Sequence, residues 1–131
     1  MMKKFNLAVV GATGNVGREI IQILEQRNFP LNSIFFIASE RSKGQKIEFN
    51  NKEIQVESLS EFDFSKTQIA LFSPGSKISE IYVPKAAEAG NIVIDNTSFF
   101  RMKEDVPLIV PEVNGHLLEN FLNSKKKHNI I

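Results

Sequence analysis

Residues 5–20 read FNLAVVGATGNVGREI. An apolar run of strand length stops at Gly11, glycine recurs at Gly14 and Gly17, and an amphipathic pattern starts at Asn15. The run before Gly11 is too short for a buried helix and is predicted to be a buried strand. Across residues 15–27, Val16, Ile20, Ile23, Leu24 and Arg27 recur at helical spacing, with Glu19, Gln22 and Gln26 on the wet side. Residues 34–38 are apolar again, which makes the unit strand, helix, strand. A helix between two such strands implies a parallel pair joined by a right-handed crossover.

The glycines lie where that unit turns from strand to helix. Gly11 permits a tight exit from the strand, Gly14 lets a phosphate approach the backbone, and Gly17 lets the helix pack close to the strand. The first-turn amides of the helix lack helical acceptors, and its dipole favours an anion at the same place. Thr13 and Asn15 can add side-chain hydrogen bonds. The spacing G-x-x-G-x-x-G differs from G-x-G-x-x-G, and no Gly-Lys-Ser/Thr follows, so it is not a P-loop. In its strand–turn–helix–strand context the junction is read as a dinucleotide-binding turn rather than a plain reversal of the chain.

The end of the second strand decides which dinucleotide. A carboxylate about 20 residues past the glycines would bond the ribose 2′-hydroxyl of NAD. Here the strand runs into Ser39-Glu40-Arg41-Ser42-Lys43-Gly44. Arg41 can fork onto a 2′-phosphate, Ser39 and Ser42 offer hydroxyls, and Lys43 adds charge. Glu40 serves a ribose hydroxyl or points to water. The balance favours NADP.

Further along, residues 46–49 and 54–56 flank Asn50-Asn51-Lys52 as a hairpin, and residues 69–72 form another buried strand. Residues 76–89 are helix-like. Pro84 either kinks that helix or opens a new one, and Gly90 ends it. Residues 92–94 and 108–110 read as short strands and residues 114–122 as a helix. The fold class expected is therefore α/β, a doubly wound, mostly parallel Rossmann-like sheet with helices on both faces.

Composition sets outer bounds. The chain has 131 residues, 42% hydrophobic and 24% charged, with a net charge of +1. One compact domain is expected, and neither nucleic acid nor a membrane is suggested as partner. There is no targeting segment, so the cytoplasm is the expected location. Cysteine is absent, which removes disulfides, thiolate metal sites and a thiol nucleophile. His116 and His128 are the only histidines, and no metal site is expected. Residue 86 is alanine, so Tyr82 has no lysine at the Tyr-x-x-x-Lys spacing of short-chain dehydrogenases.

Ligands in open parallel sheets gather at the carboxyl ends of the strands. Ser73-Pro74-Gly75-Ser76 follows one such end and either approaches the cofactor or simply caps the next helix. Asp95-Asn96-Thr97-Ser98-Phe99-Phe100-Arg101 follows another. Its arginine suits an anionic substrate, the alternative being a capped turn with a surface cation. Glu112, in Pro111-Glu112-Val113-Asn114, is a candidate base with no local sign of perturbation.

Together AVVGATGNVG, ASERSKG, LFSPGSKIS and PKAAEAGNIVIDNTSFFRMKEDVPLIVPEVN resemble aspartate-semialdehyde dehydrogenase over nearly the whole chain. The resemblance implies an NADP-binding domain spanning residues 1–131. Thr13, Gly14, Asn15 and Val16 would line the pyrophosphate, and Arg41 and Ser42 the 2′-phosphate. Ser73 and Gly75 would lie along the cofactor, with Asn96 near the nicotinamide. Arg101 would bind inorganic phosphate or the phosphate of aspartyl phosphate. The implied reaction is reductive dephosphorylation of L-4-aspartyl phosphate to L-aspartate 4-semialdehyde, in lysine, threonine and methionine synthesis. It proceeds through a cysteine thiolate in an enzyme that is a homo-oligomer. In the family that cysteine follows a stretch like HNII, where this sequence ends. The chain is therefore expected to be an incomplete, catalytically incompetent front part. The rival expectations are an N-acetyl-gamma-glutamyl-phosphate reductase-like domain and a non-catalytic nucleotide-binding module.

Overall fold

The computed structural model describes residues 4–96. The expected strand at 108–110, the helix at 114–122, Arg101, Glu112, His116 and His128 lie outside the described residues. The elements run β1 (Phe5–Val10), α1 (Asn15–Gln26), β2 (Leu31–Ala38), β3 (Lys46–Phe49), β4 (Lys52–Gln55), β5 (Glu57–Ser58), β6 (Ile69–Phe72), α2 (Ser76–Glu88) and β7 (Ile92–Asp95). Single 3-10 turns occupy Glu40–Ser42 and Phe64–Lys66. The second is opened by Asp63, whose carboxylate accepts from the Ser65 amide; the Ser65 hydroxyl and then that amide hold it below the usual aspartate range.

Five strands form one sheet in the order β5-β2-β1-β6-β7, and every neighbouring pair is parallel. From β1 the chain winds outward to β2, then returns to β6 on the other side and winds outward again to β7. The reversal between β1 and β6 is the switch point of a doubly wound sheet.

Alternation along β1 builds the two layers. Leu7 and Val9 face α1 and pack with Ile21, Phe36, Phe49 and Val56. Ala8 and Val10 face the other way, toward a core of Ile37, Phe72, Val83, Ala86 and Val93 beneath α2. Phe36 and Phe72 are fully buried, one in each layer. Burial of such a side chain is worth roughly 1.5–3 kcal/mol. The helices thus lie on opposite faces, as expected.

Three details depart from the sequence expectation. The buried face of α1 centres on Gly17 and Ile21, with Ile20 and Leu24 beside them, while Val16 and Ile23 are both about half exposed. Close approach at Gly17 rolls the helix toward that side. Next, α2 runs unbroken through Pro84, which costs it one amide donor but starts no second helix. Last, the β3–β4 hairpin turns on two residues, Asn50 and Asn51, both with positive φ, so Lys52 already pairs with Phe49. That geometry suits a tight hairpin, and asparagine tolerates it best after glycine.

The hairpin stands where a crossover helix would be expected between β2 and β5. It closes the α1 face by placing Phe49 edge-on to Phe36, ring centroids 6.1 Å apart. The Gly44 amide donates to the Val56 carbonyl and the Val56 amide to the Gln45 carbonyl, which returns the chain to β5. Among the described residues no helix is long and apolar enough to cross a membrane.

Candidate functional site

The turn after β1 is fixed by backbone bonds. The amides of Gly11 and Ala12 both donate to the Ile37 carbonyl, at 2.8 and 3.1 Å, and the Gly14 amide donates to the Gly11 carbonyl at 3.1 Å. Gly11 has φ +87°, and a Cβ there would meet the Ser73 carbonyl carbon at 2.8 Å. A Cβ on Gly17 would lie inside the van der Waals shell of the Gly11 carbonyl oxygen. These two glycines let the turn, the helix and the β6 exit touch one another.

Gly14 differs. Its φ of −81° is available to any residue, and a Cβ would meet only the Gly11 oxygen, at an ordinary 3.5 Å. It is exposed and caps α1 with no side-chain hydrogen bond, and no acidic residue occupies the first turn. The mouth of α1 therefore presents amides and dipole to the solvent side without an internal anion to satisfy them.

Beside this mouth opens a cleft of about 260 Å³. Gly11, Thr13, Gly14, Ser39, Ser73 and Pro74 line it over an apolar floor that includes Leu59 and Ile78. It sits at the carboxyl ends of the strands, at the switch point. Ser73 is set there by its amide and hydroxyl, which both donate to the Val10 carbonyl, at 2.9 and 3.3 Å. Gly75 follows with φ +105° as the cap of α2.

The arginine turn adjoins this cleft, beginning just after its lining residue Ser39. The Thr13 and Ser42 hydroxyls lie 3.4 Å apart, tying the glycine turn to Glu40–Ser42 across 29 positions of sequence. Arg41 is exposed on that turn, and among the described residues no salt bridge engages it or Glu40. Lys43 differs from the expectation: Glu61 holds its ammonium at 2.7 Å, raising its pKa through the hydrogen bond and the opposite charge. The sequence placed Lys43 on the phosphate side because its partner is distant in sequence and invisible there.

The structure thus brings together Gly11, Thr13, Gly14, Ser39, Ser42 and Ser73. Asn15 and Val16 stand exposed at the mouth of α1, Arg41 on the adjoining turn, and Asn96 beyond β7. Sequence reasoning missed the apolar floor and the buried Ser79 of α2. The spacing of Ser79, Val83 and Ala86 along one helical face was the available signal for the latter. Among the described residues no cluster of side chains could hold a metal ion.

Residues 6–121 match the family described as semialdehyde dehydrogenase, NAD binding domain. The chain belongs to that family. Its cofactor class is therefore a nicotinamide dinucleotide, and the fold agrees with solved semialdehyde dehydrogenases. The chain is 50% identical to the aspartate-semialdehyde dehydrogenase of Rickettsia bellii over 121 residues, which is 92% of this chain and 36% of that protein. It is 49% identical to aspartate-semialdehyde dehydrogenase 2 of Vibrio cholerae, over 94% of this chain and 36% of the relative. The crystal structure of the Vibrio cholerae enzyme II complexed with ASA superposes with a TM-score of 0.92 at 47% identity, covering 98% of this chain and 41% of the other. The Candida albicans enzyme with NADP gives 0.75 at 25% identity, covering 98% and 42%. The chain spans little more than a third of the length of these semialdehyde dehydrogenase relatives.

Proposed function

We propose that this chain is the NADP(H)-binding part of a cytoplasmic aspartate-semialdehyde dehydrogenase. The observation that carries the proposal is the Thr13–Ser42 contact, which sets the arginine turn next to the glycine turn at the uncapped mouth of α1. The residues present suit such a cofactor: Gly14 leaves space over the turn and no internal carboxylate competes for the amides.

In this reading Gly11, Thr13, Gly14, Asn15, Val16 and Gly17 form the pyrophosphate seat. Ser39, Arg41 and Ser42 take the 2′-phosphate, and Ser73, Gly75 and Asn96 border the other half of the cofactor. The bound cofactor supplies hydride chemistry; the chain supplies binding, orientation and one wall of a cleft. Arg101 holds phosphate or aspartyl phosphate. A loss of inorganic-phosphate binding in Arg101→Ala checks that assignment, and unchanged binding removes it. The sequence holds no cysteine, so turnover by these residues alone is not expected. Domain 1–131 would act within a longer, homo-oligomeric enzyme of lysine, threonine and methionine synthesis.

Calorimetric titration with NADPH and NADH tests the cofactor choice. Charge-assisted hydrogen bonds are worth about 1.5–3 kcal/mol, so NADPH is expected to bind roughly 10- to 100-fold tighter than NADH. Arg41→Ala should remove most of that difference while leaving NADH binding unchanged. Equal affinity of the unmodified chain for both dinucleotides would overturn the NADP assignment.

A further inference from the structure

We propose that Ser79 is a positioning residue for the nicotinamide half of the cleft: by holding Asp95 it sets Asn96 beside the Ser73–Pro74 turn. The proposal rests on the cofactor reading above.

Ser79 is an unexpected residue for its place. It lies on the inward face of α2 with Val83 and Ala86 and is fully buried. Alanine would be the better helix former there and would bury no polar group. A buried hydroxyl costs free energy unless it is hydrogen-bonded. The Ser79 hydroxyl donates to Asp95 Oδ1 at 3.1 Å, so it reaches across from the helix to the end of β7. The first turn of α2 is also the end of that helix where a carboxylate is favoured.

Asp95 is the last residue of β7 and pairs with Phe72, the last residue of β6. The next amide, that of Asn96, donates to the Phe72 carbonyl at 2.8 Å. One strand over, the Ser73 amide donates to the Val10 carbonyl at 2.9 Å. Gly11, Ser73 and Asn96 are therefore the first residues beyond three adjacent parallel strands, stepping outward across one end of the sheet.

That order gives the cofactor a direction. The arginine turn follows β2, and the glycine turn follows β1. A dinucleotide with its 2′-phosphate at the first and its pyrophosphate at the second must continue toward β6 and β7. Its nicotinamide half then passes Ser73 and reaches Asn96. The Ser79–Asp95 bond fixes the strand end from which Asn96 emerges, without touching the cofactor itself.

The test compares two probes, NADPH and 2′,5′-ADP, by calorimetry on the chain and on Ser79→Ala. The second probe carries the 2′-phosphate and the adenosine but no nicotinamide. Ser79→Ala is expected to weaken NADPH binding by roughly 5- to 10-fold, the scale of one lost hydrogen bond. Binding of 2′,5′-ADP should stay unchanged. A parallel loss of both probes would assign Ser79 a general structural role and overturn the proposal, as would no change in either. If the unmodified chain binds neither probe, the cofactor reading itself fails and takes this inference with it. Should Ser79→Ala not fold, Asp95→Ala breaks the same bond from the other side and is read by the same comparison.

Discussion

Gly17→Ala is expected to destabilise the chain by roughly 3 kcal/mol or more, the upper range for forcing an atom into a packed site. The new methyl would collide with the Gly11 carbonyl oxygen, an acceptor that already holds the Gly14 amide. Neither side can yield easily. The Gly11 peptide is pinned by the hydrogen bonds that the Gly11 and Ala12 amides donate to the Ile37 carbonyl, and α1 is pinned by Ile21 in the core. Gly14→Ala is the matched control. Its methyl has ordinary room and an ordinary φ, so melting should shift little while NADPH affinity falls, because the methyl stands where a phosphate would approach. Denaturant unfolding of both variants, beside calorimetry on Gly14→Ala, separates the two roles. Equal destabilisation by both would show that the turn is uniformly tight and that Gly14 is not reserved for a ligand.

Asn91→Ala is expected to cost about 2–3 kcal/mol, the penalty for orphaning buried hydrogen-bonding groups. Asn91 is fully buried between the end of α2 and the start of β7. Its amide nitrogen donates to the Phe64 and Ala86 carbonyls at 2.8 and 3.1 Å, and its oxygen accepts from the Thr67 hydroxyl at 2.6 Å. One side chain thus joins three segments at the amino ends of β6 and β7, opposite the cleft. Asn91→Asp should be worse at neutral pH, since it loses both donors and buries a charge. Burial raises the folded-state pKa of such a carboxyl above its unfolded value. The deficit of Asn91→Asp relative to the unmodified chain should therefore shrink as pH falls through the raised folded pKa. Urea midpoints at neutral and acidic pH read this directly. A pH-independent deficit would mean that the carboxyl is not buried as Asn91 is.

The sheet was legible because its signals are local. Short apolar runs mark β1, β2 and β6, the first ending at Gly11 and the others at serines, and Gly11 and Gly17 sit where close approach demands them. The facing of α1 was less legible. Hydrophobicity gives Val16 and Ile23 the same weight as Ile21, but the helix rolls toward Gly17, a residue such a count scores as nearly neutral. Two-residue β5 has no pattern of its own: Glu57 and Ser58 become a strand only because Ile37 and Ala38 lie alongside. At the site, the residue types around the phosphates were readable, whereas their partnerships were not. Thr13 meets Ser42, Lys43 meets Glu61, and Ser79 meets Asp95 only once the chain has closed on itself.

The hairpin that replaces a crossover helix leaves the surroundings of the glycine turn and of the arginine turn unequally braced. The glycine turn grows from β1, the central strand, whose last four residues are sealed from solvent in both layers. The arginine turn grows from β2, whose last three residues are buried too, but it leads on into a four-residue hairpin arm and the two-residue β5 at the edge of the sheet. Opening of small peripheral units costs less than opening of the centre. The hairpin side should accordingly exchange its backbone amides with solvent sooner than the glycine turn does.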